Sequence, residues 1–483
     1  MQTECIEGEQ RCNADGLPQA CDATGTWIDA EACTADLSCV LGECLTECEA
    51  LVTAPSSLGC SFHLNNMYTL YDTALPGIPL PGGGEPDGHG AAIVGNPTDA
   101  AAIDVSLFQY QPDGAQLLVE GPVTIAAGQT HSFELVEPWI RNSAVRQGGS
   151  YRLESTAPVV AYQHSPTVAQ YDNDSSLLIP DHVLGNSFVI ASYPQNINNA
   201  PPYFNVVATV DGTEVTWVPP VGTAGSDSVP PVTAGATGTV TLNAGDTLQV
   251  NGQGDLSGTL VNTTQPVWVI GANRCAEVPS GVSACDHLEE QSLPVHFWGE
   301  QYVAAHAPTR GGESYRWRIF AGGDNIQVTT TPVQPGTPAT LSRGEFVEIN
   351  ATQSFVIDAT GPVLPMQYLA SQEAGAGTGD PAMLQAVPVA QFLDRYAFTT
   401  GEDYQVHYAQ ITRPLDGPDV LIDGVVVEGY EAVGAFEVAD WTISEGPHFA
   451  QSTATFGIAV VGYTGFTSYA YPGGLALEVI APG

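Results

Sequence analysis

From Ser61 to the end of the chain, apolar residues come in short runs or alternate with polar ones, and the runs are rich in Val, Ile, Thr, Tyr and Phe. Gly, Pro, Asn and Asp punctuate them. No long stretch keeps the roughly 3.6-residue spacing of an amphipathic helix, so the pattern predicts all-β structure over 61–483. Two segments break it: Leu75 to Pro97, centred on Pro-Gly-Gly-Gly-Glu-Pro-Asp-Gly-His-Gly, and Pro219 to Gly238. Both read as inserted loops without core strands. Residues 1–48 differ again, with turn residues and cysteines dominating and Trp27 as the expected core plug of a small, loop-rich module.

The β region repeats itself. Thr156-Ala-Pro158, Thr264-Gln-Pro266 and Thr360-Gly-Pro362 each precede an apolar run, and Thr453-Ala-Thr455 is a weaker fourth copy. Ahead of them lie Val123-Thr-Ile-Ala-Ala-Gly128, Val240-Thr-Leu-Asn-Ala-Gly245, Ala339-Thr-Leu-Ser-Arg-Gly344 and Trp441-Thr-Ile-Ser-Glu-Gly446. The glycine closing each is expected to take a positive φ at a hairpin turn. After the Thr-x-Pro site come an aspartate (Asp172, Asp286, Asp380), a second proline (Pro180, Pro294, Pro388) and an aromatic (Phe188, Tyr302, Tyr396). Each Thr-x-Pro proline is expected at a strand start, where its missing N–H does least harm.

The copies recur about every hundred residues, the length of a β-sandwich domain and roughly twice that of a propeller blade. The favoured architecture is therefore about four tandem β-sandwich-like repeats after a disulfide-rich head, with a propeller of two blades per repeat as the alternative. The domains expected are the cysteine-rich module 1–60 and repeats over 61–200, 201–310, 311–402 and 403–483.

Charge narrows the partners. All 11 basic residues are arginine, lysine is absent, and 53 acidic residues leave a formal net charge of −42. Phosphate backbones and anionic membrane surfaces both need basic patches, so nucleic acid is excluded as a partner class. No apolar run is long enough to span a membrane as a helix. The first 30 residues have neither a basic start nor an apolar stretch, so if the chain is exported its signal has already been removed.

Eight of the ten cysteines, Cys5, Cys12, Cys21, Cys33, Cys39, Cys44, Cys48 and Cys60, fall in the head, and Cys275 and Cys285 stand alone. An even count in a short, aliphatic-poor stretch predicts disulfides and an oxidising compartment rather than zinc. The head pairing is open, with Cys48 and Cys60 placed to close the junction. A Cys275–Cys285 bridge would stiffen a loop that the sibling repeats leave free, which hints that this loop presents something.

The densest polar cluster is Asp286-His-Leu-Glu-Glu290. Carboxylates and imidazole suit a divalent cation, and Asp172, Asp174 and Asp286 are the candidate calcium ligands. Against this, the recurrence of the aspartate in three copies favours a structural cap, and Asp172-Asn-Asp lacks the glycine and distal glutamate of a calcium loop. His287, Glu289 and Glu290 do not recur and are expected on a solvated face. No nucleophile elbow or phosphate-binding glycine loop is found. No cofactor is expected beyond that calcium. Trp217, Trp268, Trp298 and Trp317 lie in strand patterns as core residues.

Several of these motifs occur in the order seen in one known family. The Thr-x-Pro-Val strand, the Cys275–Cys285 loop followed by Asp-His-Leu-Glu-Glu-Gln, the phrase Leu293-Pro-Val-His-Phe-Trp-Gly-Glu-Gln-Tyr-Val303 and the closing Gly465-Phe-Thr-Ser-Tyr-Ala-Tyr-Pro-Gly-Gly474 together resemble the IgG Fc-binding family of mucus and its bacterial surface relatives. The resemblance runs over about residues 64–480 and omits the head. It implies a non-catalytic, secreted or cell-surface binding or adhesion protein whose partner is an extracellular protein, glycoprotein or polysaccharide. Two other readings compete. One is an extracellular hydrolase using a carboxylate pair among Asp172, Asp286, Glu289, Glu290 and Asp380, and the other is a purely structural spacer.

Overall fold

Four long strands carry the architecture: Tyr151–Ser165, Leu260–Ala276, Phe355–Tyr368 and Pro447–Thr464. Each is the hub of its own antiparallel sheet, of seven, eight, seven and eight strands in chain order. The computed structural model describes residues 5–34, 37–69, 89–97, 101–136, 140–167, 172–194, 197 and 200–481. The chain is all-β with four repeats behind a disulfide-rich head.

The Thr-x-Pro site divides each long strand in two. Before it, exposed and covered residues mix; after it, Val159–Ser165 and Val267–Ala276 are buried throughout. Such continuous apolar runs suit a strand covered on both faces, whereas mixed ones suit a strand covered on one. The prolines thus lie in mid-strand, not at the strand starts expected from sequence. They are tolerated because the ladder is interrupted there. Gly185 pairs with Val267 but Ser187 pairs with Asn262, and Gly299 pairs with Val363 but Gln301 with Asp358. The same slip spans Glu154 to Val159 and Gln451 to Phe456. Pro158, Pro266, Pro362 and Thr455 all sit within this bulge, where an N–H is not required.

The recurring aromatic clips the bulge. In the third repeat the Tyr302 hydroxyl accepts from Gly299 N at 2.9 Å and donates to the Val363 carbonyl. In the fourth, Tyr396 does the same between Leu393 and Phe456. The second repeat has Phe188 there, which fills the core but has no hydroxyl. The turn glycines Gly128, Gly245, Gly344 and Gly446 have φ values of 63°, 82°, 83° and 113°.

Each long strand pairs on its buried half with a short inner strand: Asp174–Leu177, Asp286–Gln291, Met383–Gln385 and Thr467–Pro472. The first inner strand lies against the second and the fourth, and the third also lies against the second and the fourth. The four repeats therefore close around one axis instead of forming separate beads. Ser57 and Leu475 seal the ring, with Ser57 N donating to Leu475 O at 3.0 Å. One continuous apolar core draws residues from all four sheets, from Val160 through Ala276 and Leu364 to Tyr471.

Arginines fasten the seams between neighbours. Arg274 lies 4.4 Å from the Tyr68 ring centre and donates to Thr69 O, joining the second sheet to the first. Arg318 joins the third to the second through Asp255 at 2.9 Å and Ser257 at 2.7 Å. Arg310 joins the third to the fourth, 4.9 Å from the Tyr463 ring and 3.3 Å from Ser468 Oγ.

The head holds Cys5–Cys21, Cys12–Cys39 and Cys33–Cys44, while Cys48–Cys60 ties it to the first sheet. Trp27 does not plug its core: it is half-buried, 4.1 Å beneath the Arg11 guanidinium. Of the segment read as an inserted loop from Leu75 to Pro97, residues 75–88 lie outside the described residues, and Gly90–Gly95 is a buried strand of the first sheet. Its small side chains allow the close packing that its glycines disguised in sequence. Pro219–Gly238 is a connection without strands up to its last residue, though Val229 and Val232 are buried. Trp217, Trp268, Trp298 and Trp317 are core residues.

Candidate functional site: the carboxylates on the axis

The inner strands bring nearly all of the acidic residues singled out from sequence to one place. Asp172, Asp174, Asp286, His287, Glu289, Glu290 and Asp380 are each 3% exposed or less. The expectation that His287, Glu289 and Glu290 occupy a solvated face is overturned, because Asp286–Gln291 is an inner strand covered on both sides. Its polar composition was misleading: polar side chains here face other polar side chains across the axis, not water.

Asp174 is the most connected. Its carboxylate accepts from its neighbour Ser175 N at 2.9 Å, from Glu289 N of the second repeat at 3.1 Å and from Met383 N of the third at 3.0 Å. Asp286 accepts from Thr467 Oγ1 of the fourth repeat at 2.8 Å. Glu290 accepts from Gln385 Nε2 at 2.7 Å and from Ser176 Oγ at 3.3 Å. Glu289 lies 3.3 Å from both His287 Nε2 and Gln163 Nε2. Asp380 sits toward one end, where its carboxylate accepts from Gln372 N at 2.9 Å and its own N–H donates to Ser468 Oγ at 3.1 Å.

Burial governs the protonation of this cluster. It pushes Asp174 well above the usual carboxylate range, against the opposing pull of the Met383, Ser175 and Glu289 N–H groups. Asp286 is raised by burial and then by the charges of Asp380 and Asp172, and Glu290 by burial and then by Asp174. Asp380 is pushed up to about 7 by burial. His164, pressed into the same core beside Ser175, is lowered to about 4 by burial and then by His287. Burial thus favours the neutral form of Asp174, Asp286 and Glu290, and neutral carboxyls can be packed together where carboxylates would repel.

Among the described residues, no three His, Cys, Asp or Glu side chains converge in a geometry that could hold a metal ion. The candidate ligands Asp172, Asp174 and Asp286 are near neighbours on the axis, with Asp174 and Asp286 hydrogen-bonded to different repeats. The carboxylates offered as a hydrolytic pair are enclosed among the described residues. Sequence reasoning missed Gln163, Gln291, Gln385 and Thr467. A signal was present for two of them, because Gln291 and Gln385 stand at the same offset from the repeat aspartates Asp286 and Asp380.

The Cys275–Cys285 disulfide forms, but the loop it closes is not held out free. Ser371 N donates to Val278 O at 2.7 Å and Glu373 N to Ser283 O at 2.9 Å, so the loop docks on the third repeat.

The family model described as "IgGFc binding protein" matches residues 174–462. The chain belongs to the IgGFc binding protein family. The match begins at Asp174, in the first inner strand, and ends at Gly462, in the fourth long strand, so it takes in three of the four inner strands and leaves out Thr467–Pro472 and the head. Over 320 residues the chain is also 25% identical to the IgGFc-binding protein of Homo sapiens, covering 64% of this chain and 6% of that protein. The chain thus spans a small fraction of that relative in the IgGFc binding family. No helix among the described residues is long and apolar enough to cross a membrane.

Proposed function

We propose that the chain is a non-catalytic binding or adhesion module that works outside the cell and recognises an extracellular protein, glycoprotein or polysaccharide. The observation that carries this is membership of the IgGFc binding family, whose human member is named for binding the Fc region of IgG. Two further observations support it. Five disulfides among the described residues suit an oxidising compartment, and the acidic residues that a hydrolase would use are enclosed as a packing element. The closed ring then serves as a rigid frame, and the outer loops and seams meet the partner. A rigid frame lowers the ordering cost of binding.

The test is capture by the immobilised full chain of IgG Fc, mucin and a polysaccharide panel, with calcium and with chelator. Saturable, selective capture of one class supports the module. Release of products from any polymer in the panel, or capture of nothing by folded protein, contradicts it. Capture lost in chelator would return Asp172, Asp174 and Asp286 to the role of cation ligands.

A further inference from the structure

At the seam where the first and fourth sheets meet lies a cleft of about 590 Å³. One wall is a face of the fourth sheet. Ala397 is the cross-strand partner of Phe449, and Arg395 lies two residues along the same strand, so all three project to one side. Asp423 is fixed beside them, accepting from Phe449 N at 2.9 Å and pairing with His448 Nδ1 at 2.6 Å. The other wall, from the first sheet, includes Gly95, Asn96, Ala127, Gly128 and Val160.

Three features distinguish this cleft from ordinary surface. Phe449 is 39% exposed, so a large aromatic ring stands on the solvent-facing side of its hub strand. Arg395 is exposed and its guanidinium makes no ion pair or hydrogen bond to any described residue. The other arginines are engaged, three of them as seam clamps. Asp423 keeps its side chain 48% exposed while its backbone neighbours hold it still. A free donor, a positioned acceptor and an aromatic face therefore converge on one concave space.

Resting on the reading of the chain as an extracellular binding module, we propose that this cleft binds the terminal sugar of a glycan. A sugar hydroxyl is both donor and acceptor, so vicinal hydroxyls are met by an arginine and a carboxylate side by side. The C–H face of a pyranose ring is apolar and covers an exposed phenyl ring. The volume suits one or two sugar units, and the mixture of apolar wall and few polar groups is that of a ligand site. The Arg395 guanidinium can also donate to a sugar carboxylate, while the net charge of −42 disfavours a long polyanion.

The experiment titrates the full chain with methyl β-galactoside, methyl galacturonide and an unglycosylated mucin-type peptide, following binding by calorimetry, and measures capture of intact mucin in parallel. Phe449→Ala, Arg395→Gln and the cleft-filling Ala397→Leu are compared, with the thermal midpoint reporting that each is folded. Saturable binding of either glycoside, weakened about tenfold or more by Phe449→Ala and Arg395→Gln, is the expected result. A preference for the galacturonide that Arg395→Gln abolishes identifies an acidic sugar, and equal binding a neutral one. Mucin capture that persists unchanged in all three variants overturns the cleft proposal and leaves the binding module standing. Binding of the bare peptide alone assigns the cleft to polypeptide and overturns the sugar.

Discussion

The carboxylate of Asp174 accepts a hydrogen bond from the backbone N–H of Met383 at 3.0 Å, across 209 residues of chain. It reaches from the first repeat to the third, and the same oxygen accepts from Glu289 N of the second. One side chain thus holds three repeats to the axis, and Asn173 N, donating to Thr467 Oγ1 at 3.3 Å, brings in the fourth.

Removing that acceptor leaves buried N–H groups unsatisfied, each at a cost of about 1–3 kcal/mol. Asp174→Ala is therefore expected to destabilise the protein by roughly 2–5 kcal/mol in urea unfolding. Asp174→Asn keeps an acceptor oxygen and is expected to cost much less. Equal losses for the two variants would mean that the bonds to Glu289 and Met383 contribute little.

Asp380 makes stability depend on pH. Its pKa is pushed up to about 7 in the fold, above the ordinary value of 3.8, so the folded state binds more protons than the unfolded state between these values. The stabilisation is complete below about pH 4 and is lost as pH rises through about 7. His164 works oppositely: lowered to about 4 from 6.5, it favours the fold above that range and opposes it as pH falls. Comparing Asp380→Asn with the parent isolates the first effect. The variant is expected to gain on the parent by roughly 3 kcal/mol between pH 5 and 8, read from thermal midpoints. A constant difference across that range would show that Asp380 titrates normally.

Arg318 is 3% exposed and bonds Asp255, Ser257 and Glu348, so truncating it strands charge at the seam between the second and third sheets. Arg318→Met is expected to cost roughly 3–5 kcal/mol. Arg318→Lys should rescue only part of this, because one ammonium cannot reproduce the guanidinium fork. The measurement is urea unfolding of both variants, and full rescue by lysine would reduce the clamp to a simple point charge.

The repeats were legible because their marks are local. Pro266 and Pro362 interrupt a ladder at a bulge, Tyr302 and Tyr396 clip it, and Gly245 and Gly344 take positive φ, so each copy rewrites the same backbone requirement. The closure of the ring was not legible, because it rests on pairs such as Asn173 with Thr467, separated by 294 residues. Polar composition also misled at Asp286–Gln291, since it does not distinguish residues facing water from residues facing a polar interior. The strand Gly90–Gly95 was hidden by its composition, because glycine and alanine signal loops unless close packing demands them.

Amide hydrogen exchange at Glu289, Met383 and Asn173 tests the closed axis most directly. Their N–H groups bond to Asp174 and Thr467, in repeats other than their own. Closure predicts that all three exchange as slowly as the hub strands, only on global unfolding, and that Asp174→Ala accelerates Glu289 and Met383 together. Exchange as fast as the surface loops, unchanged by that substitution, would contradict the ring and return the repeats to independent beads on a chain.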